Sequence, residues 1–284
     1  MKEVIITGDD FGLAAPINEA IVEAHSHGVL TAASLMVGAE SVADAVSKAK
    51  ALPSLKVGLH IVLVEGNSVL APDVIPDLVN SRGEFSTHLV KAGFQYFFRP
   101  GIRKQLEAEI RAQFKKFHDT GIPLDHVNAH NHMHLHPTIL RLIVKVGREY
   151  GLKAIRLPNE PVILSWKASG KGLASRIVSR IFLYPWLAAM KRILRRAGIR
   201  YNDFLFGMTD SGAMSLDLVL RLIRNLPSGI TELHFHPATR RCPGIDATMP
   251  GYAHEDEFRA LTSGQLIREL QNAGVKRIAF RDLG

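Results

Sequence analysis

Short β-rich apolar runs alternate with stretches whose apolar positions return every three or four residues, and the alternation continues along the chain. The runs predict strands at Val4–Thr7, Leu30–Val37, Leu55–Leu63, His126–His130, Ala154–Leu157, Asp203–Phe206, Ile230–His236 and Arg277–Phe280. Between them, "PINEAIVEAHSHG" opens with a proline suited to a first helical turn and closes at Gly28, and "RKQLEAEIRAQFKKFHDTG" keeps helical periodicity up to Gly121. Pro137–Tyr150, Ser215–Asn225 and Gly264–Ala273 supply further helices. Strands that alternate with helices pair in parallel, because each helix carries the chain back across the sheet. Eight of them fit an α/β fold of the (β/α) barrel type, TIM-like, in a regular or a distorted and incomplete form. No repeat, low-complexity tract or linker divides the sequence, so residues 1–284 are expected to form one barrel domain that includes an insertion at 161–202.

In such barrels the reacting groups stand at the carboxyl ends of several strands. Four strand ends here, "GDDFG", "VGLH", "NAHNH" and "LHFHP", place a carboxylate or an imidazole where an apolar run stops. Alone, Asp9 and Asp10 read as a helix cap or an Asx-turn. Beside three histidine-bearing strand ends they read as a metal ligand and a base near the metal's water, since adjacent carboxylates in a closed pocket do not both ionise cheaply without a cation. His60, after the buried-strand pattern "LKVGL", is either a core histidine bonded to backbone or a ligand.

The stretch "DHVNAHNHMHLHP" packs five of the thirteen histidines into eleven positions. His130 is its strongest ligand candidate, as the first histidine past the strand with the inward parity of His126 and Asn128. His132 shares that parity but lies farther into the loop, while His134 and His136 are expected to cap the next helix or line the rim. Asp10, His60 and His130 together make a set of two imidazoles and one carboxylate, which leaves positions open for water and substrate as hydrolytic sites require. His234 and His236 share a parity on the seventh strand, and His236, directly before Pro237, is the better proton donor. Arg156, in "AIRLPNEP", reads either as half of a salt bridge or as a group that binds a sugar hydroxyl or carboxylate.

Composition narrows the classes. Apolar content of 46% and charged content of 22% are those of a folded enzyme, and the single cysteine, Cys242, rules out an internal disulfide and a thiolate metal cage. The start, "MKEVIITGDDFG", meets carboxylates too soon for a secretion signal, and no apolar stretch is long enough to span a bilayer, so a cytoplasmic location is expected. The net charge of +8 is local: Pro161–Asn202 holds nine Lys and Arg and no Asp or Glu. Its mixture of arginines with Leu, Ile, Phe, Tyr and Trp186 suits an anionic membrane surface at the inner face of the cytoplasmic membrane, or a helical hairpin packed on the barrel, with Pro185 expected to break or kink a single helix. No nucleic-acid-binding motif accompanies it, so no nucleic-acid partner is expected.

The ordered set "TGDDFG", "VGLH", "DHVNAHNHMHLHP" and "HFHPA" resembles the YdjC-like carbohydrate deacetylase family over most of the chain. "GVLTAASLMVGA", "VGLHIVLVEG", "FFRP" and "LDHVNAHNHMHLHPT" resemble its hopanoid-biosynthesis-associated branch. The resemblance implies a metal-dependent N-deacetylase using one divalent ion, Zn or Mg first, although the ligand types also admit Mn, Co and Ni. It implies Asp9 as catalytic base, Asp10, His60 and His130 as metal ligands, His236 as catalytic histidine and a substrate-side role for Arg156. The family often reads Asp-Ser-His-His-His where this chain has Asn128, Ala129, His130, Asn131 and His132, which keeps His130 in register but withdraws a carboxylate that would support the metal.

The implied substrate is an N-acetylglucosaminyl group on a hopanoid glycolipid, with soluble chitooligosaccharides as the alternative. Two rivals come from other classes. A different metal hydrolase on a similar barrel would carry His-x-His on its first strand, where this chain has "GDDFG"; a catalytically silent sugar-lipid or metal-binding protein would take several ions along its histidine tract.

Overall fold

A mostly parallel sheet curls into a half-barrel with helices along its flanks, an incomplete and distorted form of the TIM-like barrel. The computed structural model describes residues 2–88, 93, 96 and 100–284; of the "FFRP" stretch, residues 97–99 lie outside the described residues. The strands are β1 (Lys2–Phe11), β2 (Ala32–Leu35), β3 (Lys56–Ile61), β4 (Leu124–Ala129), β5 (Phe204–Phe206), β6 (Gly229–Phe235) and β7 (Lys276–Arg277). Their order is β4-β3-β2-β1-β6-β5, with β7 paired to the start of β1. Central β1 is buried from Val4 to Phe11, as a strand covered on both faces must be.

Two expected strands are reduced. Ala154–Leu157 forms no strand; single parallel bridges, Val127↔Ile155 and Ala154↔Arg200, lead from β4 toward β5. The reason lies in the following "RLPNEP", whose prolines lack donors, and in Asn202, whose side chain accepts from the Leu157 N–H at 2.7 Å and donates to its carbonyl at 2.9 Å. A side chain thus replaces the ladder where the barrel would close. The last strand shrinks to Lys276–Arg277, because Phe280–Asp282 turns into a 3-10 helix whose Asp282 carboxylate accepts the Ala279 N–H.

The strand ends carry their own constraints. Gly58 in β3 is required by its neighbour, since a Cβ there would lie 2.5 Å from the ring of His126 on β4. The helix Pro137–Gly147 starts on a proline at its first turn, as the sequence predicts. The helix Pro100–Asp119 fastens the long loop after β3: buried Gln113 bonds both backbone groups of Val62, and buried Glu109 accepts the N–H groups of Val69 and Leu70.

In the basic segment Pro185 does not break the helix. Leu173–Ala197 is one 25-residue helix that continues through Pro185. The proline leaves the carbonyl of Ile181 without its helical donor, and Ile181 is exposed, so water can serve that carbonyl.

Candidate metal centre and active site

The site begins with an irregularity in β1. Successive side chains on a strand point to opposite faces, so Asp9 and Asp10 should diverge. Instead the β1–β2 register shifts between Gly8 and Phe11, and Asp10 adopts a φ of 62°, a left-handed conformation rare outside glycine. The bulge turns both carboxylates toward one end of the barrel.

Asp10 is fully buried, and neither of its oxygens has a hydrogen-bond partner. Its Oδ1 lies 3.3 Å from His60 Nε2 and 3.2 Å from His130 Nδ1. Ligands bound at about 2.0–2.2 Å to one ion stand about 3.0–3.4 Å apart in octahedral or tetrahedral sets. A buried carboxylate with orphaned oxygens, facing two imidazole nitrogens at that separation, is the donor set of a divalent cation site. Burial alone would raise the Asp10 pKa, but the adjacent His130 and the other imidazoles hold it far below the usual carboxylate range.

Asp9 has the opposite surroundings. Arg156 Nη1 donates to its Oδ2 at 2.5 Å and Arg156 Nη2 to its Oδ1 at 3.0 Å, and Asn128 Nδ2 stands 3.3 Å from Oδ1. Burial pushes its pKa up, yet the guanidinium, with His60 and His234, keeps it well below the ordinary value. The same guanidinium donates to Glu232 Oε1 at 2.9 and 2.6 Å, where Thr7 also donates at 2.8 Å. Of the two readings of Arg156, the structure shows the salt bridge: the side chain is fully buried and pairs with Asp9 and Glu232. Asp9, His234 and His236 also come within ligating distance of one another, a second His/Asp cluster beside the first. Both clusters are geometrically consistent with a single divalent ion, and the orphaned oxygens favour the Asp10 side, because those of Asp9 are already satisfied.

Asn128 occupies the position where the expected supporting carboxylate is absent. Its Oδ1 accepts from His60 Nδ1 at 2.6 Å, which turns His60 Nε2 to Asp10. Its amide also donates to Ser34 Oγ at 2.9 Å. An amide thus orients the imidazole, and it supports His60 rather than His130.

The remaining histidines divide between structure and wall. His126 lies between Asp125 and Ser34 and stacks on Phe280 with ring centres 4.4 Å apart, away from the metal set. His132 packs edge-on to His234 at 5.3 Å, and burial keeps it well below its usual pKa. His134 bonds the Arg156 carbonyl, and burial with the nearby guanidinium pushes it down to about 3. His136 stands at the N-cap position of Pro137–Gly147 without a side-chain cap bond to it. Burial, with Arg156, likewise brings His234 to about 3, and its Nδ1 faces the Phe206 carbonyl at 3.2 Å. His236 is held through its backbone, whose N–H donates to Glu257 at 2.5 Å and whose carbonyl meets His254 Nδ1 at 2.6 Å.

Asp9, His60, His130, His132, His234 and His236 line one cavity of about 210 Å³, together with Glu65, Met208, Ser211 and Tyr252. Sequence reasoning passed over Glu65, Ser211 and Tyr252. Glu65 Oε2 stands 3.9 Å from His130 Nε2 and accepts from Asn131 at 2.6 Å; Tyr252 pairs with Ser211 at 2.9 Å and packs edge-on to His236. Nothing in their spacing marks them, since each comes from a loop.

The family model described as "YdjC-like protein" matches residues 3–272. A carbohydrate deacetylase of Brevibacillus brevis is 28% identical, covering 99% of this chain and 100% of its own length. One of Vibrio cholerae is 34% identical, covering 94% of this chain and 91% of its own. Among solved structures, a putative cellobiose-phosphate cleavage protein of Enterococcus faecalis superposes with a TM-score of 0.76 at 22% identity, over 98% of this chain and 97% of its own, a likeness of fold.

Proposed function

The chain belongs to the YdjC-like protein family, and from that membership we propose that it is a metal-dependent N-deacetylase acting on a carbohydrate. The observation that carries the reading is the contrast between the two adjacent carboxylates: Asp10 with empty oxygens facing two imidazoles, and Asp9 clamped by a guanidinium at the cavity wall. Asp10, His60 and His130 would hold the ion. A divalent ion held by them would supply Lewis-acid activation of a water and of the acetyl carbonyl.

The chain's own groups do the rest. Asp9, kept ionised and fixed in orientation by Arg156, accepts the proton of the attacking water. Water adds to the amide carbon, the C–N bond breaks, and His236 gives a proton to the departing amine, leaving acetate and a free amino sugar. The imidazoles of His132 and His234 and the ring of Tyr252 line the same cavity.

Within that class we place the acetyl group on an N-acetylglucosaminyl unit carried by a hopanoid lipid, with the protein in the cytoplasm and in peripheral contact with the inner face of the membrane. Support comes from the branch-like segments and from the basic apolar helix beside the cavity. A groove of about 870 Å³ favours a second reading, a soluble chitooligosaccharide, because it shares Glu65 and Thr248 with the catalytic cavity and is lined by polar side chains such as Asn67 and Asn80.

The deciding experiment incubates metal-loaded protein with N-acetylglucosaminyl hopanoid and with a chitin disaccharide and follows the loss of one acetyl group by mass spectrometry. Faster loss from the glycolipid supports the first substrate, equal or faster loss from the disaccharide the second, and loss from neither removes the deacetylase reading. Asp9→Asn should keep its metal and lose a factor of roughly 10² to 10⁴ in rate; full turnover in that variant refutes the role of Asp9.

A further inference from the structure

Six of the seven large apolar side chains exposed among the described residues fall between Ile163 and Tyr184. The most exposed are Phe182 at 71%, Ile181 at 68% and Val178 at 66%. All three lie on one side of the helix Leu173–Ala197, whose opposite side buries Leu187, Met190 and Leu194. At about 3.6 residues per turn, Arg196 lies in line with Val178 and Arg192 roughly 40° from it, and both are exposed. Arg180 folds over the Tyr184 ring at 5.5 Å. No carboxylate occurs between residues 161 and 202 to neutralise this stripe.

We infer that this helix face docks on an anionic lipid surface, with Val178, Ile181 and Phe182 entering the interface and Arg192 and Arg196 meeting phosphate groups. Apolar residues on one stripe with arginines continuing it are what an interfacial helix requires. A second copy of the chain fits poorly, because a contact of this helix with its own copy offers Arg192 and Arg196 no acidic partner from residues 161–202. Nucleic acid offers no partner for three exposed aliphatic and aromatic side chains on a backbone-binding face.

The helix is also fixed to the catalytic cavity. Buried Arg176 donates to Asp210 at 2.7 Å and to Glu160 at 3.2 Å, and Glu160 accepts the Thr209 N–H at 2.8 Å. Met208 and Ser211, on either side of Thr209 and Asp210, line the cavity. A docked helix sets that wall within about one helix diameter, ~10 Å, of the headgroups. This deepens the lipid-linked reading, on which it rests only for what the membrane delivers; the docking itself stands on the helix.

The test is co-sedimentation of the full chain with vesicles of phosphatidylcholine alone and of phosphatidylcholine with phosphatidylglycerol, at low and high salt. Binding should require phosphatidylglycerol, fall about five-fold for each of Arg192→Ala and Arg196→Ala, and fall again in Ile181→Ser/Phe182→Ser, while metal content and melting temperature stay at wild-type values. Failure to bind, equal binding to neutral vesicles, or a dimer abolished by Phe182→Ser overturns the inference. Vesicle binding without deacetylation of a lipid-linked sugar keeps it and removes the substrate reading; deacetylation in detergent without vesicle binding does the reverse.

Discussion

Replacing Arg156 by Met should damage the chain before it damages the chemistry. The guanidinium is buried and makes four contacts to two carboxylates: 2.5 and 3.0 Å to Asp9, 2.9 and 2.6 Å to Glu232. Methionine keeps the volume but leaves two buried carboxylates with no countercharge. Removing one partner of a buried pair costs about 3–5 kcal/mol, and at roughly 2–3 °C per kcal/mol for a chain of this size the melting temperature should fall by on the order of 6–15 °C. Charge, not lost packing, is the cause, so Arg156→Met/Glu232→Gln should recover part of the loss.

The pH dependence carries a sign. In the wild type the folded pKa of Asp9 is depressed, so its contribution is present above the ordinary carboxylate value and is lost as pH falls through the lower one. In the variant, burial is no longer opposed by the guanidinium, and Asp9 moves upward. Its gap to the wild type should therefore narrow as the pH is lowered from neutrality toward about 5. Differential scanning fluorimetry of the chelator-treated chains across that range measures it. Unchanged melting of Arg156→Met, no recovery in the double variant, or a gap independent of pH would refute the reasoning.

Metal analysis of the purified chain should give one divalent ion per molecule, lost in Asp10→Ala and kept in His136→Ala; several ions per chain would indicate storage along the histidine tract. Asn128→Ala removes the acceptor from His60 Nδ1 and should weaken metal affinity about 10- to 100-fold in a chelator competition. Burial raises the Glu257 pKa to about 7, so its contribution to stability should decline as pH rises from the ordinary glutamate value to about 7. Glu257→Gln should flatten that decline in urea titrations, and an unchanged slope would count against the assignment. Gly58→Val should prevent folding, since its Cβ would meet the His126 ring at 2.5 Å, and a soluble variant with wild-type melting would contradict the packing.

Most of the strand positions were legible because buried parallel strands read as continuous apolar runs, as "VII" and "VGL" do, whereas "TELHF" buries Thr231, Glu232 and His234 among its apolar positions. Those runs did not show where hydrogen bonding stops. "AIRL" is as apolar as a strand, yet Asn202 takes both backbone groups of Leu157, a partnership between residues 45 positions apart that no local pattern encodes. Of the two effects expected of Pro185, the break is absent for a related reason: the missing helical bond strands a carbonyl at exposed Ile181, and exposure is a tertiary property.

The candidate site was legible in its residue types and opaque in its geometry. Histidines and aspartates at strand ends announce themselves, but their orientation depends on backbone conformations that no residue type declares. Asp10, Glu65, Asn131 and His132 are the only non-glycine residues with positive φ among those described, and all four belong to the metal set or the cavity beside it. Each such conformation costs about 1–3 kcal/mol, so four in one place persist only because the surroundings impose them. Asn131 is tied to Glu65, the loop bearing Glu65 is fastened by Glu109 and Gln113, and the bulge at Asp10 is set by register against β2. Restoring regular strand geometry at Asp10 would return its carboxylate to the opposite face from Asp9 and separate ligand from base. The strain at "GDDFG" is therefore what lets two consecutive residues serve one reaction in different roles.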